Sequence, residues 1–143
     1  IFTSLCGVAV GGRMKISKKA HYGLQACYYL AQVYPNYTLS NKDLEKKIFV
    51  SAKYLERIMS CLSSGGIVGA KKGVSGGYYL MREPEKITVG DVVRTLEDDL
   101  EIFDCVKKSG CTKCPSAMVW RKLYKGINDI LDDISLKQMI EEE

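Results

Sequence analysis

The sequence lacks most of what an enzyme is built from. Its 143 residues include a single histidine, His21. It shows no acid–base pair, no nucleophile constellation and no phosphate-cradling loop, so catalysis is the least supported reading. No apolar run approaches the roughly 20 residues that a bilayer crossing needs, which excludes a helical membrane span. The first thirteen residues, Ile1 to Arg13, are apolar and glycine-rich but have no basic beginning, so they make a poor secretory signal. Without export the chain is expected in the cytoplasm, where six cysteines argue for metal or redox roles over a disulfide framework.

Acidic residues are also scarce, but only in one half. Residues 14–82 carry 11 Lys or Arg against 3 Asp or Glu, whereas residues 83–143 carry 9 against 14. A basic first half is the footprint of a polyanion binder, and the acidic second half should stay off the same polyanion. Gly11, Gly12 and Arg13 ahead of Met14 are what a purine-rich ribosome-binding sequence read in frame would encode. Met14 is therefore expected to be the functional start and residues 1–13 a mis-assigned or disordered leader, a point that the mass of the native protein checks.

From Ser17 to Tyr34 the apolar positions Ala20, Leu24, Cys27, Leu30, Ala31 and Tyr34 recur at helical spacing, and Pro35 ends the run. Ser40, with Asp43 three residues on, signals a short second helix carrying Leu44 and Ile48. Ser51 caps a third, with Leu55, Ile58, Met59 and Leu62 on one face and Lys53, Glu56, Arg57 and Ser60 on the other. Two short helices so close form a helix-turn-helix pattern, whose second helix presents polar side chains to base edges. On that reading Ser40, Ser51, Ala52, Lys53, Tyr54, Glu56 and Arg57 are candidate DNA-reading residues, although many helical hairpins bind nothing. Residues 67–73 and 76–82 then read as two strands around a glycine-rich tip. Following a helix-turn-helix, this is a wing, with Lys71, Lys72, Gly73, Ser75, Gly76 and Arg82 suited to contact phosphate or the minor groove.

Thr88 to Glu97 is a further capped helix with Val89, Val92, Val93 and Leu96 inward. An irregular stretch, 98–115, follows. Ser116 opens a helix bearing Trp120, Leu123, Tyr124, Ile127, Ile130, Leu131 and Ile134, where 120, 127 and 134 keep a seven-residue repeat. Such a stripe suits a dimer seam as well as an intramolecular core. A homodimer is favoured because small DNA readers commonly use two-fold symmetry on palindromic half-sites, and Trp120, Leu123, Ile127, Ile130 and Ile134 are the candidate seam. The expected fold is mainly α with a small β wing. A winged-helix domain occupies 14–97, a cysteine loop 98–115, and a dimerisation helix with a C-terminal tail 116–143.

Three cysteines in that loop, Cys105-x5-Cys111-x2-Cys114-Pro115, are close enough to converge on one metal centre. Lys107, Lys108 and Lys113 would favour the thiolate. Iron–sulfur, zinc and a disulfide switch are all open chemistry for such a set. Three ligands leave a site incomplete. His21 sits on the polar side of the first helix with Lys18, Gln25 and Tyr28, as a solvated residue or as the fourth ligand. Cys27 and Cys61 read as small buried hydrophobes in helices, and Cys6 falls in the leader.

These segments carry a resemblance. Met14 to Leu24, Ser51 to Ile58, Gly73 to Leu80, Ile87 to Val93 and the Cys114-x5-Trp120 pair are similar to the opening, recognition helix, wing and cluster-loop flanks of the Rrf2 family of winged-helix transcription regulators. The likeness is to its iron–sulfur (IscR-like) and nitric-oxide-sensing (NsrR-like) branches. The resemblance implies a dimeric regulator, a repressor on this reading, whose operator affinity is modulated by an iron–sulfur cluster, [2Fe-2S] ahead of [4Fe-4S], on the three loop cysteines. It also puts Glu56 where a glutamate tunes promoter choice, which suits a carboxylate accepting from cytosine N4. Two departures stand out. The second cysteine gap is x2 where the family has x5, and Ala117 stands where IscR-like proteins have a histidine. In NsrR-like proteins an aspartate eight residues from the start completes the cluster from the partner subunit, and here that position is His21. A zinc or thiol sensor of the same fold, or an adaptor that does not bind DNA, are the competing readings.

Overall fold

The computed structural model describes residues 16–97 and 115–142. Residues 1–13, expected to be a leader, and the three cysteines expected in a loop, Cys105, Cys111 and Cys114, lie outside the described residues. Within them the chain runs α1 (Lys18–Val33), α2 (Asn41–Ile48), α3 (Ala52–Ser64), β1 (Val68–Lys71), β2 (Gly77–Leu80), a 3-10 turn (Pro84–Lys86), α4 (Val89–Leu96), α5 (Ala117–Asp133) and α6 (Leu136–Glu141). This is the expected mainly helical architecture with a two-stranded antiparallel wing.

The helix starts follow from their caps. Ser17, Ser40 and Ser51 each accept the backbone N–H three residues on, from Ala20, Asp43 and Tyr54. Ser40–Asp43 and Thr88–Asp91 are reciprocal capping boxes, each satisfying two otherwise orphaned donors. α3 is strongly amphipathic: Leu55, Ile58, Met59 and Leu62 are fully buried while Lys53, Glu56, Arg57 and Ser60 are exposed. Its stripe meets Leu30 and Cys27 of α1, Leu44 and Ile48 of α2, and Val92 and Val93 of α4 in one continuous core.

Three features were not legible beforehand. The segment before α2 pairs with the wing: Tyr78 donates to Leu39 at 2.8 Å and Leu39 donates back to Tyr78 at 3.1 Å, adding a one-residue third rung to the hairpin. The turn between α2 and α3 places Phe49 in the left-handed region, φ 59°, with its ring 88% exposed. Where the sequence suggests a tail after Ile134, the chain instead turns at Ser135 into α6, whose Leu136 is fully buried. A backbone bridge makes that turn: Val89 donates to Ile134 at 2.8 Å and Leu136 to Ile87 at 2.9 Å. Ser135 and Gln138 form a capping box at its start.

α5 presents two apolar faces. Ile127 and Leu131 are half-buried against the core. Val119, Leu123 and Ile130 lie on an adjoining stripe, 50%, 44% and 62% exposed, with Gly126 among them. The expected seam is therefore split. Leu123 and Ile130 point outward and Ile134, at the C-cap, is partly exposed, whereas Trp120 is half-buried and Ile127 turns toward the domain. A seven-residue repeat cannot say which of two stripes on one helix the same chain covers, and here the 3.6-residue period divides them.

A candidate nucleic-acid interface

α2, α3 and the wing meet on one surface. Asn41, the first residue of α2, donates its side-chain amide to the Ala52 carbonyl at 3.3 Å, tying together the N-terminal ends of α2 and α3. The Thr38 hydroxyl donates to the Ser75 carbonyl at 3.0 Å, fixing the wing tip against the segment leading into α2. Gly77 permits this approach: a Cβ there would lie 2.7 Å from the Leu39 carbonyl carbon and oxygen. Any other residue at 77 would push the wing away from α2.

The candidate reading residues occupy this surface unequally. Ser51, Ala52, Lys53, Glu56 and Arg57 on α3 and Lys71, Lys72, Gly73 and Ser75 on the wing are exposed. Ser40 and Gly76 are half-exposed. The Ser40 and Ser51 hydroxyls are already engaged as caps; Ser40 also donates its O–H to the Asp43 carboxylate at 2.9 Å, whereas Ser51 only accepts, from Tyr54, and keeps its O–H to donate. Tyr54 departs from the expectation of an outward reader: it is half-buried, with its ring edge-on to Tyr22 at 6.1 Å between centroids. Its position between the polar and apolar faces of α3 explains why spacing alone could not place it.

Electrostatics join the wing to α3. Burial, and then the nearby Glu56 carboxylate, raise the Tyr78 hydroxyl above its usual range. Glu56, 22 residues before Tyr78 in the chain, is therefore near enough for its charge to be felt at the wing, a proximity that sequence reasoning missed. At α2 the Ser40 backbone N–H, and next its hydroxyl, hold Asp43 below the ordinary carboxylate range.

His21 is exposed on α1, and Gln25 donates its amide to His21 Nε2 at 2.9 Å. Among the described residues no three His, Cys, Asp or Glu side chains gather closely enough to hold a metal ion. A metal at His21 must therefore draw its other ligands from elsewhere. Glu97, the last described residue before the cysteine segment, accepts the Ser17 backbone N–H at 2.5 Å, at the first turn of the helix that carries His21. Cys27 is fully buried and its thiol is pushed up to about 12 by desolvation, leaving it inert at neutral pH, and Cys61 is half-buried. No helix among the described residues is long and apolar enough to cross a membrane.

Known proteins share this arrangement. Residues 16–142 match the Rrf2 family, described as an iron-dependent transcriptional regulator. The chain is 31% identical over 130 residues to the transcriptional regulator IscR of Aliivibrio salmonicida, covering 89% of this chain and 77% of that one. It is equally 31% identical over 126 residues to the transcriptional regulator CymR of Bacillus subtilis, covering 88% and 89%. Among solved structures it is similar to T. potens IscR (TM-score 0.75, 37% identity, 90% and 87% covered). It is also similar to CymR, the global cysteine regulator of B. subtilis (TM-score 0.79, 29% identity, 92% and 99% covered). With a family match across nearly its whole length and a winged-helix body to go with it, the chain belongs to the Rrf2 family of transcriptional regulators, in its IscR-like branch.

Proposed function

We propose that this protein is a cytoplasmic repressor that binds palindromic operator DNA as a homodimer and whose affinity is set by an iron–sulfur cluster on Cys105, Cys111, Cys114 and His21. The observation that carries the DNA half is the rigid surface on which the exposed polar face of α3 adjoins the wing-tip lysines. α3 enters the major groove, where Lys53, Glu56 and Arg57 meet base edges and phosphates, while Lys71 and Lys72 neutralise flanking phosphates. Glu56 accepts from cytosine N4 and disfavours arrangements that bring it to phosphate. The outward face of α5, with Leu123 and Ile130, pairs two copies.

The donor set fits the cluster: three thiolates within ten residues of one another, and an exposed imidazole on the helix beside which the cysteine segment begins. His21 would exchange its Gln25 hydrogen bond for the metal. When bound, the cluster supplies a centre sensitive to iron supply, oxidants and nitric oxide. The family's description as iron-dependent supports that reading. A second reading, a thiol- or zinc-based sensor on the same three cysteines, is favoured by the likeness to the cysteine regulator CymR.

The test is an anaerobic absorption spectrum with iron and sulfide counts on the full chain, beside Cys114→Ala and His21→Ala. A [2Fe-2S] site gives about two irons and two sulfides per chain, lost in Cys114→Ala and destabilised in His21→Ala. A colourless, iron-free protein after reconstitution would overturn the cluster and leave the thiol or zinc reading.

A further inference from the structure

α4 belongs to the DNA-reading head. Val89, Val92, Val93 and Leu96 are buried with α1 and α3, so α4 moves only if the head moves. α5 carries the outward apolar face. Whatever fixes α5 on α4 therefore fixes the head relative to that face. The apolar part of the contact, Ile127 and Leu131 against the core, is non-directional and would allow α5 to pivot.

Direction comes from Arg94. Its guanidinium donates to Asn128 Oδ1 from Nε at 3.2 Å and Nη2 at 2.7 Å, and to the Asp132 carboxylate from Nη1 at 2.6 Å and Nη2 at 3.1 Å. Asn128 is itself oriented by donating to the Tyr124 carbonyl at 2.9 Å. Hydrogen bonding to Asp132 raises the guanidinium further above its already high range, so the fork stays charged. Gly90, one turn before Arg94, leaves room for it: a Cβ there would collide with both the Asp132 carboxylate and the Arg94 guanidinium. A planar fork on two acceptors one helical turn apart specifies an angle as well as a distance. The backbone bridge at Ile134–Leu136 pins the far end of α5 like a hinge pin, and the fork sets the opening about it.

We propose that Arg94, with Asn128 and Asp132, is the positioning residue that sets the angle between reading head and α5, and thereby the half-site separation that the dimer accepts. This rests on the homodimer proposed above. The lever is long enough: Leu123 lies ~16 Å along the helix from Ile134, so a tilt of roughly 10° moves it by ~3 Å, close to one base-pair step. The pair is 40% and 52% exposed at its side chains, so it contributes little to the stability of the fold. Its removal should change geometry and leave the head folded.

The experiment uses the full chain and duplexes bearing two copies of the half-site that the wild type selects from a random library, with the spacer lengthened or shortened by one and two base pairs. The wild type should discriminate about tenfold between the best spacer and its neighbours, and Arg94→Ala should reduce this to about threefold or less. Its affinity for a single half-site and its melting temperature should stay put. Asp132→Asn should flatten the profile less, and the exchange Arg94→Asp with Asp132→Arg should restore a peak. An unchanged spacing profile in Arg94→Ala would overturn the proposal, as would an equal loss on every duplex, single half-sites included. A wild type that shows no spacing preference and binds half-sites independently would remove the dimer itself, an outcome visible without any variant.

Discussion

α3 and α5 are both amphipathic helices, of 13 and 17 residues, yet they use their apolar faces in opposite ways. α3 buries its stripe completely and leaves polar side chains outside. α5 commits Ile127 and Leu131 to its own domain and leaves Val119, Leu123 and Ile130 in water. A surface helix with an apolar face turned outward loses the free energy of burial unless another surface covers it. The polar face of α3 and the apolar face of α5 are thus the two surfaces on which the proposed function rests, the first for a polyanion and the second for another copy of the chain.

Two isoleucines put the contrast to its severest test. Ile58 on α3 is fully buried, so Ile58→Ala should cost about 2–5 kcal/mol in chemical denaturation. Ile130 on α5 is 62% exposed, and Ile130→Ala should change the unfolding of the monomer by about 0.5 kcal/mol or less while weakening self-association measured by sedimentation. Equal destabilisation by both would break the distinction.

On the α3 side, Lys71→Ala with Lys72→Ala should weaken operator binding uniformly across sequences. It should also lower the slope of log affinity against log salt by about 2 if both lysines contact phosphate. Binding titrations at several salt concentrations check this, and an unchanged slope would take the wing tip off the DNA.

Phe49 sharpens the comparison from the turn that delivers α3. A phenylalanine in the left-handed region, with its ring in solvent, gains no burial to offset the strain. Phe49→Gly should therefore raise stability by about 1 kcal/mol in thermal or urea unfolding. A loss of stability would mean that the ring packs in a way its exposure denies.

The smallest effect concerns the capping box beneath the interface. Because the folded state holds Asp43 below the ordinary carboxylate range, its contribution to stability is complete above that range and disappears as pH falls through the depressed value. The stability gap between wild type and Asp43→Asn should accordingly narrow on acidification in pH-dependent unfolding. A gap independent of pH would remove the charged cap from the account.

Much of this was legible in the residues. Serine and threonine caps with an acid three positions on, the i, i+3, i+4, i+7 stripe of α3 and the glycine-rich hairpin tip are local rules, and the structure follows them. What escaped were relations made across the chain: Leu39 joining the wing, the Glu56 charge felt at Tyr78, Tyr54 turning in against Tyr22, and α6 returning to bury Leu136. Each depends on how elements dock, which a linear period does not encode. The two faces of α5 show the same limit most clearly, since its apolar residues announced a contact without saying which of them the chain keeps for itself.

The most direct test of the account is the mass of the complex between the full-length protein and a duplex carrying two selected half-sites, by sedimentation equilibrium. Two chains bound per duplex in one cooperative step, reduced to weak independent binding by Leu123→Ser with Ile130→Ser, is the predicted result. A single chain per duplex, or a double variant that still binds as a cooperative pair, would contradict the assignment of α5's outer face to a second copy.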